Sequence, residues 1–453
     1  MKVHSAALLT MTEAAEADMP AAELTREVLK RIDRLDPVLH AYVTVDAEVA
    51  TRRARDLDNS QRSGMLWGIP VGFKDNIATA GLRTTANSRI LADWVPSADA
   101  TVVANLRAAG AVVVGKQNLN EFDWSLPAAD DLTPAPRNPW DTSSAAIGSS
   151  SGSGTAVAAG LCFGALGTDS GGSVRLPAAN CGVVGLKPSH GLLPLEGVFG
   201  VPTLSDVGPI ARSVADVRLV LTAAAGAAPQ NRSPLSARDG LGSVPLGVLP
   251  DTDLPHDVNP EISAAYGEAI RQLERLGARV SDVRGIRSET ATAAVRVILN
   301  AEAYAGHSSS LRRHPELYGA SARIHLTQGA FLSAADYIHA LRYMSRYTAM
   351  IDSIFESVDC LLTPTAPYLT AEEARRPDTH RRGGGDVFTS PFNLSGNPAV
   401  SVPAGFSASG LPIGVQMVAR TANDYQLLWI AEQFEQATPW HERHPNIALG
   451  GVE

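Results

Sequence analysis

Apolar side chains recur along residues 20–35 with the spacing of one helical face. The recurring residues, at i, i+4, i+8 and i+11, are Leu24, Val28, Ile32 and Leu35. Pro20 stands near the start of this segment and Asp36-Pro37 at its end, and proline commonly marks helix boundaries. The pattern predicts an amphipathic helix with one face packed against a core.

The rest of the chain alternates between short apolar runs and longer amphipathic segments. Segments predicted to be helical are 99–109, 156–166, 217–225, 262–276 and 334–355. Segments predicted to be strands or strand ends are 41–45, 111–115, 359–364, 399–403 and 412–418. Strands that alternate with helices favour an α/β protein, with a mixed β-sheet covered by helices on both faces.

The chain shows no internal repeat and no obvious linker, so a single domain over residues 1–453 is expected. Two stretches, 226–244 and 372–386, look exposed, and ordinary loops are the default interpretation of both. The second stretch contains charged residues and three consecutive glycines. It is therefore also compatible with a mobile lid.

Composition and charge exclude several classes of function. The chain has 453 residues, is 45% hydrophobic and carries a net charge of −9. The absence of a basic run interleaved with aromatic residues argues against nucleic acid as a direct ligand. Because no uninterrupted apolar stretch reaches membrane-spanning length, we expect no membrane association, and the first residues do not resemble a signal peptide.

The cysteines and the absence of metal-binding motifs indicate the cellular compartment and whether a cofactor is needed. Three cysteines, Cys162, Cys181 and Cys360, do not make a disulfide framework and suit a reducing, cytoplasmic compartment. No Cys-x-x-Cys or His-Glu-x-x-His motif occurs. The sequence therefore gives no support for a metal site, and no cofactor is expected.

Lysine is rare in this chain, with five lysines against 33 arginines. One of them, Lys74, lies in the mostly apolar segment 66–77, where a surface charge is not expected. Burial disfavours an ammonium ion, so a lysine in such surroundings can be neutral near pH 7. A neutral amine is a competent general base, which makes Lys74 a candidate catalytic residue.

Two segments rich in glycine and serine supply candidate nucleophiles. They are Gly148-Ser149-Ser150-Ser151-Gly152-Ser153-Gly154 and Gly167-Thr168-Asp169-Ser170-Gly171-Gly172-Ser173. Such serines, together with a neutral lysine, are the components of a Ser-Lys hydrolase. The alternative is an α/β-hydrolase nucleophile elbow centred on Ser150, in the pattern Gly-x-Ser-x-Gly. That alternative also needs an acid and a histidine, and no histidine is singled out by its neighbours.

Further motifs accompany these segments, in order along the chain. They are Gly68-Ile69-Pro70-Val71-Gly72-Phe73-Lys74-Asp75, the segments 168–178 and 181–188, Pro391-Phe392-Asn393-Leu394-Ser395-Gly396, and Gly410-Leu411-Pro412-Ile413-Gly414-Val415-Gln416. Together they resemble the amidase signature family nearly from end to end. The resemblance implies the amidase signature fold and a cofactor-independent hydrolase of carbon–nitrogen bonds in linear amides.

The resemblance also implies a role for individual residues. Ser173 corresponds to the nucleophile, Ser149 to a bridging serine that follows a cis peptide bond, and Lys74 to the base. The backbone N–H groups implied to form the oxyanion hole are those of Ser170, Gly171, Gly172 and Ser173. Consecutive glycines suit that task because they let the backbone approach a substrate carbonyl without obstruction.

The sequence departs from the family pattern beside the bridging serine. Ile147 and Ser151 stand where glycines are usual, Ser144 where arginine is common, and Ala146 where proline is common. Asn120 replaces a frequent aspartate. Outside the proposed relay, Asp169 and Arg175 are expected to brace the nucleophile turn, and Lys116 and Lys187 to be structural.

The stretch 126–136 is predicted to shape the substrate pocket, with Leu126, Pro127 and Ala128 as lining residues. Its apolar character indicates a small apolar, or aryl, amide as substrate, and carbamates (urethanase activity) and aryl esters fit the same chemistry. An alternative is the A subunit of a glutamyl/aspartyl-tRNA amidotransferase, which needs a partner chain; the apolar stretch disfavours it. A non-catalytic scaffold is a further alternative. A homodimer is compatible with the sequence.

Overall fold

A computed structural model describes residues 6–124, 128, 130–226, 240–254, 258–286, 288–374 and 385–450 of the chain. Its strands are β1 (Tyr42–Val45), β2 (Pro70–Lys74), β3 (Val112–Gln117), β4 (Arg137–Asn138), β5 (Asp141–Ala145), β6 (Gly164–Asp169), β7 (Val184–Lys187), β8 (Asp206–Ala211), β9 (Pro245–Val248), β10 (Arg279–Asp282), β11 (Cys360–Pro364), β12 (Ala399–Phe406) and β13 (Pro412–Val418).

The described α-helices differ widely in length. They are α1 (Met11–Glu16), α2 (Ala21–Leu39), α3 (Ala47–Asp58), α4 (Thr101–Ala108), α5 (Ser151–Ala158), α6 (Arg175–Cys181), α7 (Val214–Ala224), α8 (Pro260–Arg275), α9 (Ser288–Arg313), α10 (Ala320–Thr327), α11 (Ala334–Ile354), α12 (Ala371–Ala374), α13 (Ser390–Leu394) and α14 (Asp424–Gln436). Within the described residues, no helix combines the length and the apolar character needed to cross a bilayer.

One mixed sheet of 11 strands organises the fold, in the order β1-β3-β2-β6-β8-β7-β12-β13-β11-β9-β10. Parallel pairs, such as β2 with β3 and with β6, flank a central run of antiparallel pairs that begins with β6 and β8. Strands β2, β3, β6 and β8 are buried at every position, so both faces of the sheet are covered there. The predicted α/β class with a large mixed sheet under helices is confirmed.

Most of the helices predicted from the spacing of apolar residues are present in the structure. Helix α2 contains the predicted segment 20–35 and buries all four of its recurring apolar residues. It continues through Pro37 to Leu39 and ends at His40, whose backbone is left-handed with φ of 51°. The helices predicted at 99–109, 217–225, 262–276 and 334–355 are confirmed with shifted ends.

The prediction of a buried helix at 156–166 is wrong in its second half. Helix α5 begins earlier, within the serine run, and ends at Ala158, while β6 begins at Gly164. Small apolar residues without a clear period occur both in buried helices and in buried strands, so the pattern could not separate the two. The 26-residue helix α9 was not predicted, because its apolar positions do not form a clear stripe.

The two stretches expected to be loops are only partly described. Residues 227–239 and 375–384 lie outside the described residues. In the first stretch, Leu241 and Val244 are buried rather than exposed. In the second, residues 372–374 belong to α12 instead of a loop.

Candidate active site

The lysine singled out from the sequence lies at the end of a fully buried strand. Lys74 is the last residue of β2, and the parallel neighbours of β2 are β3 and β6. Parallel strands have their carboxyl ends at the same edge of a sheet, so the segments that follow β3 and β6 are expected beside Lys74. These segments are the loop at 118–124 and the turn at 170–173, and the loop contributes Asp123, in contact with Lys74.

The amine of Lys74 is fully buried and has three close oxygen neighbours. Its Nζ lies 2.7 Å from Ser149 Oγ, 2.9 Å from Thr168 Oγ1 and 2.5 Å from Asp123 Oδ1. Burial lowers the pKa of Lys74, whereas the negative charge of Asp123 acts to raise that pKa. A lowered pKa increases the neutral fraction of the amine at a given pH, as a general base requires.

Ser149 contacts Lys74 from the loop before α5. A cis peptide bond joins Gly148 to Ser149, as the family resemblance implied. The Ser149 hydroxyl is buried, accepts a hydrogen bond from Lys74 and donates one to Asp123 Oδ1 at 2.9 Å. The backbone N–H of Ser150 donates to the backbone carbonyl of Ser173 at 3.1 Å. The serine run and the predicted nucleophile turn therefore lie side by side.

Residues that depart from the family pattern contact this loop. A side-chain carbon at Gly148 would lie 2.1 Å from Asn120 Oδ1, so Asn120 packs directly against the residue before the cis bond. The backbone N–H of Ile147 donates to Asn180 Oδ1 at 2.9 Å. The altered residues are thus part of the packing that holds the loop.

The turn at 170–173 connects β6 to α6 and requires glycine. Gly172 has φ of +129°, and a side-chain carbon there would lie 2.2 Å from Thr389 Oγ1. The N–H of Gly172 donates to Asp169 Oδ1 at 2.7 Å. Of the four amides predicted to face an oxyanion, this one is therefore already bonded within the turn. Ser173 itself is half-buried.

A buried ion pair braces the turn, as predicted for Asp169 and Arg175. Arg175 Nη2 lies 2.8 Å from Asp169 Oδ1, and both side chains are fully buried. Burial alone would raise the pKa of Asp169, but the Arg175 guanidinium holds that pKa well below its usual range. Arg175 also donates to Asn393 Oδ1 at 2.6 Å, to Gln416 Oε1 at 2.7 Å and to the Thr389 carbonyl at 3.0 Å.

We expect Arg175→Met to lower the free energy of unfolding by about 3–5 kcal/mol, because it leaves the Asp169 carboxylate buried without its partner. The matched control is Arg218→Met, which removes a half-exposed pair with Glu432 and should cost no more than about 1 kcal/mol. Thermal or denaturant unfolding of both variants measures the difference. Equal losses in the two variants would contradict the bracing role.

Three residues of this site were missed by the sequence analysis. Asp123 contacts both Lys74 and Ser149, Thr168 contacts Lys74, and Asn76 Nδ2 donates to Asp123 Oδ2 at 2.7 Å and to Thr168 Oγ1 at 2.9 Å. A signal was present for Asp123. It follows β3, whose apolar residues run without alternation, as is typical of a buried parallel strand. The carboxyl end of β3 borders that of its parallel neighbour β2.

A cavity with mainly aromatic and apolar walls opens beside Asp123. Its larger lining residues are Phe122, Asp123, Trp124, Phe199, Val201, Glu302, His307 and Leu326, together with Asn76 and Ser170 of the site. Burial lowers the pKa of His307 to about 4, so this imidazole is neutral near pH 7. Among the described residues that line the cavity, the charged side chains are carboxylates, and none is a lysine or an arginine.

The predicted pocket residues can be located only in part. Leu126 and Pro127 lie outside the described residues. The N–H of Ala128 donates to Asp131 Oδ2 at 2.9 Å, and Ala128 is not among the described residues that line the cavity. The described walls come instead from the 122–124 and 199–201 loops and from α9.

The remaining candidates have structural partners. Lys116 lies 3.8 Å from Asp75 Oδ1 and Lys187 lies 3.1 Å from Asp206 Oδ2, and both lysines are fully buried. The Ser150 hydroxyl is buried and donates to the Thr168 carbonyl at 3.3 Å rather than to a histidine. This geometry gives the nucleophile-elbow alternative no support.

Comparisons with known proteins find similarity over nearly the whole chain. The sequence model of the Amidase family matches residues 23–428. The chain is 36% identical to the A subunit of glutamyl-tRNA(Gln) amidotransferase from Synechococcus sp. (strain CC9605), covering 95% of this chain and 96% of that protein. The structure of the corresponding protein from Thermotoga maritima is 34% identical with a TM-score of 0.79, and covers 95% of each chain. Native peptide amidase from Stenotrophomonas maltophilia is 30% identical with a TM-score of 0.81, over 95% of this chain and 96% of that one.

Proposed function

The chain belongs to the amidase signature family, and from this premise we propose that it cleaves small apolar amides, aryl amides included, through a Ser173–Ser149–Lys74 relay. Membership makes it a hydrolase that acts on the carbon–nitrogen bonds of amides. The observation that carries the proposed relay is the 2.7 Å contact between the fully buried Lys74 amine and Ser149 Oγ. The Ser150–Ser173 backbone contact supports the place of Ser173.

The proposed reaction proceeds in two steps. Ser173 Oγ attacks the amide carbon while its proton passes to Ser149 Oγ, and the Ser149 proton passes to neutral Lys74. The tetrahedral oxyanion accepts hydrogen bonds from the N–H groups of Ser170, Gly171 and Ser173, since the Gly172 N–H donates to Asp169. Collapse expels the amine, which takes the proton back through Ser149. Water, activated by the same pair, then cleaves the acyl-enzyme and releases the acid.

The cavity beside the relay supports an uncharged, apolar substrate. Aromatic walls gain free energy by removing an aryl or alkyl group from water, at roughly 25 cal/mol per Å². Phe122, Trp124 and Phe199 provide such walls. Carbamates and aryl esters pass through a similar tetrahedral intermediate, so urethanase and esterase activity fall within the proposal.

The wider proposal is a single domain over residues 1–453 that works without metal or other cofactor in a reducing, cytoplasmic compartment. The three cysteines are buried and free of disulfide bonds, in keeping with that compartment. A homodimer stays a prediction.

A second candidate function is that of the A subunit of an amidotransferase, which works together with a partner chain. The relatives with this name, at 36% identity over nearly the whole chain, favour it. Free glutamine carries a carboxylate, and a buried carboxylate needs a cationic or hydrogen-bonding partner. The described lining instead contributes Asp123 and Glu302, which would repel that group. We therefore favour the amidohydrolase.

We expect the purified chain alone to hydrolyse a nitroanilide or an aryl carbamate much faster than glutamine, before and after EDTA treatment. The physical reason is the aromatic, carboxylate-bearing cavity described above. Release of nitroaniline or phenol, compared with release of ammonia from glutamine, measures the preference. A preference for glutamine, or activity only with a second polypeptide, would favour the amidotransferase, and loss of activity with EDTA would contradict the metal-free reaction.

A further inference from the structure

We propose that Asp123 is a fourth member of the relay, a fixed carboxylate that orients the Lys74 amine and balances the positive charge formed when Lys74 takes up the serine proton. This inference rests on the proposed roles of Ser173, Ser149 and Lys74. It adds a residue that the three-residue relay of the resemblance does not contain.

Asp123 contacts both side chains that carry the proton. Asp123 Oδ1 lies 2.5 Å from Lys74 Nζ and accepts a hydrogen bond from Ser149 Oγ at 2.9 Å. A carboxylate this close to an amine favours its protonated form, and one that contacts a neighbouring hydroxyl also fixes the position of that hydroxyl. Asp123 is thus placed to act on both transfers of the proton.

The neighbours of Lys74 determine the direction of the hydrogen bonds at Nζ. The oxygen neighbours of Lys74 within 3 Å are Ser149 Oγ, Thr168 Oγ1 and Asp123 Oδ1. The Thr168 hydroxyl also accepts from Asn76 and donates to Asp123, so toward Lys74 it acts as an acceptor. A neutral amine has two hydrogens and one lone pair. If the hydrogens go to Asp123 and Thr168, the lone pair faces Ser149 Oγ. The single Ser149 hydrogen, which Asp123 accepts in the structure, then has only to turn from Asp123 to this lone pair for its transfer to Lys74.

Asp123 is itself held in place. Its Oδ2 accepts from Asn76 Nδ2 at 2.7 Å, and Asn76 also donates to the Phe199 carbonyl at 3.0 Å. The backbone of Asp123 is left-handed, with φ of 67°, a conformation that aspartate adopts more readily than most residues. Its side chain is 18% exposed whereas that of Lys74 is fully buried, so Asp123 stands between the base and the cavity.

The other charged groups around Lys74 are engaged elsewhere. Asp169 also acts to raise the pKa of Lys74, but its carboxylate is paired with Arg175. Asp75, the next residue in the chain, faces Lys116. In the cavity wall, Glu302 accepts from Thr203 and Tyr337, and His307 is neutral near pH 7. Among the described charged groups, Asp123 is thus the one whose carboxylate is directed at Lys74.

The test is Asp123→Asn, which keeps the side-chain shape and an acceptor oxygen but removes the charge. The rate at which a fluorophosphonate labels Ser173 is followed by intact-protein mass spectrometry between about pH 6 and pH 10, so no knowledge of the substrate is needed. Without the carboxylate, Lys74 loses its proton more easily. We expect the midpoint of the pH–rate profile to move down by about 1–3 pH units, and the plateau rate to fall by about tenfold or more.

Two matched variants complete the design. Asp123→Glu restores the charge and should return the midpoint toward that of the unaltered chain. Asp46→Asn changes the N-cap of α3, outside the site, and asparagine caps helices equally well, so its profile should not move. A lower plateau with an unmoved midpoint in Asp123→Asn would overturn the proposal and leave Asp123 a purely structural role.

Failure of this inference can be told from failure of the proposed function. Ser173→Ala and Lys74→Ala are labelled in parallel with Asp123→Asn. If both lose labelling while Asp123→Asn keeps the midpoint and plateau of the unaltered chain, the inference alone is wrong. If Ser173→Ala is still labelled at the same rate, the nucleophile itself is wrongly assigned. The proposed role of Asp123 in the relay is then wrong as well.

Discussion

Ser173→Ala is expected to abolish amide hydrolysis while the protein stays folded. The proposed route passes through a covalent bond to Ser173 Oγ, and alanine has no atom that can form it. By analogy with other serine hydrolases, the loss should be roughly 10⁴-fold or more in kcat. The fold should persist because the described contact of Ser173 with the serine run uses its backbone carbonyl, which alanine retains. Turnover of a nitroanilide, with the unfolding temperature as a second measurement, tests both parts.

The control for this variant is Ser150→Ala, since Ser150 is the nucleophile of the elbow alternative. Its hydroxyl donates to the Thr168 carbonyl, so its removal should have a much smaller effect on turnover. Inhibitor labelling at Ser150, or near-normal turnover by Ser173→Ala, would reverse the assignment.

Lys74→Ala and Lys74→Arg are both expected to lose most activity. Alanine removes the base, and the guanidinium of arginine stays protonated throughout the working range of pH. In the unaltered chain the pKa of Lys74 is lowered by burial, although Asp123 acts against this. The active form is the neutral amine, so activity should rise as the pH rises through this lowered pKa and level off above it.

The measurement is kcat/KM against pH for the unaltered chain and both variants. Lys30→Arg is a suitable control, because Lys30 is exposed and pairs with Glu27 on the surface of α2. Its profile should match that of the unaltered chain. Substantial activity in Lys74→Arg would be incompatible with a general-base role for this residue.

The helices and strands that were predictable from the sequence are those whose own residues show a clear pattern of apolar side chains. Helix α2 was predicted because four apolar residues repeat on one face, and the strands at 111–115 and 412–418 because they are short apolar runs bounded by glycine or proline. The sheet order was not predictable, since β12 and β13 stand between β7 and β11 through pairings that no local pattern encodes.

The candidate site likewise has residues that the sequence predicts and residues that it does not predict. Lys74, Ser149 and Ser173 lie in motifs whose residues are consecutive, and the structure brings Lys74 and Ser149 into contact. Asp123, Thr168 and the aromatic cavity depend on which strand ends meet at one edge of the sheet. Asp123 lies 49 residues from Lys74 and 26 from Ser149 along the chain, and the sequence feature that points to it is its place shortly after the buried strand β3.

The bracing of the nucleophile turn has a consequence for the order in which the protein is made. Arg175 contacts Asn393 and Gln416, which lie 218 and 241 residues further along the chain. A ribosome that has passed Ser173 must therefore add more than half of the polypeptide before these partners emerge. We expect nascent chains released before Gln416 to carry every proposed catalytic side chain and yet to hydrolyse nothing, so that reactivity is acquired late, close to the completion of synthesis.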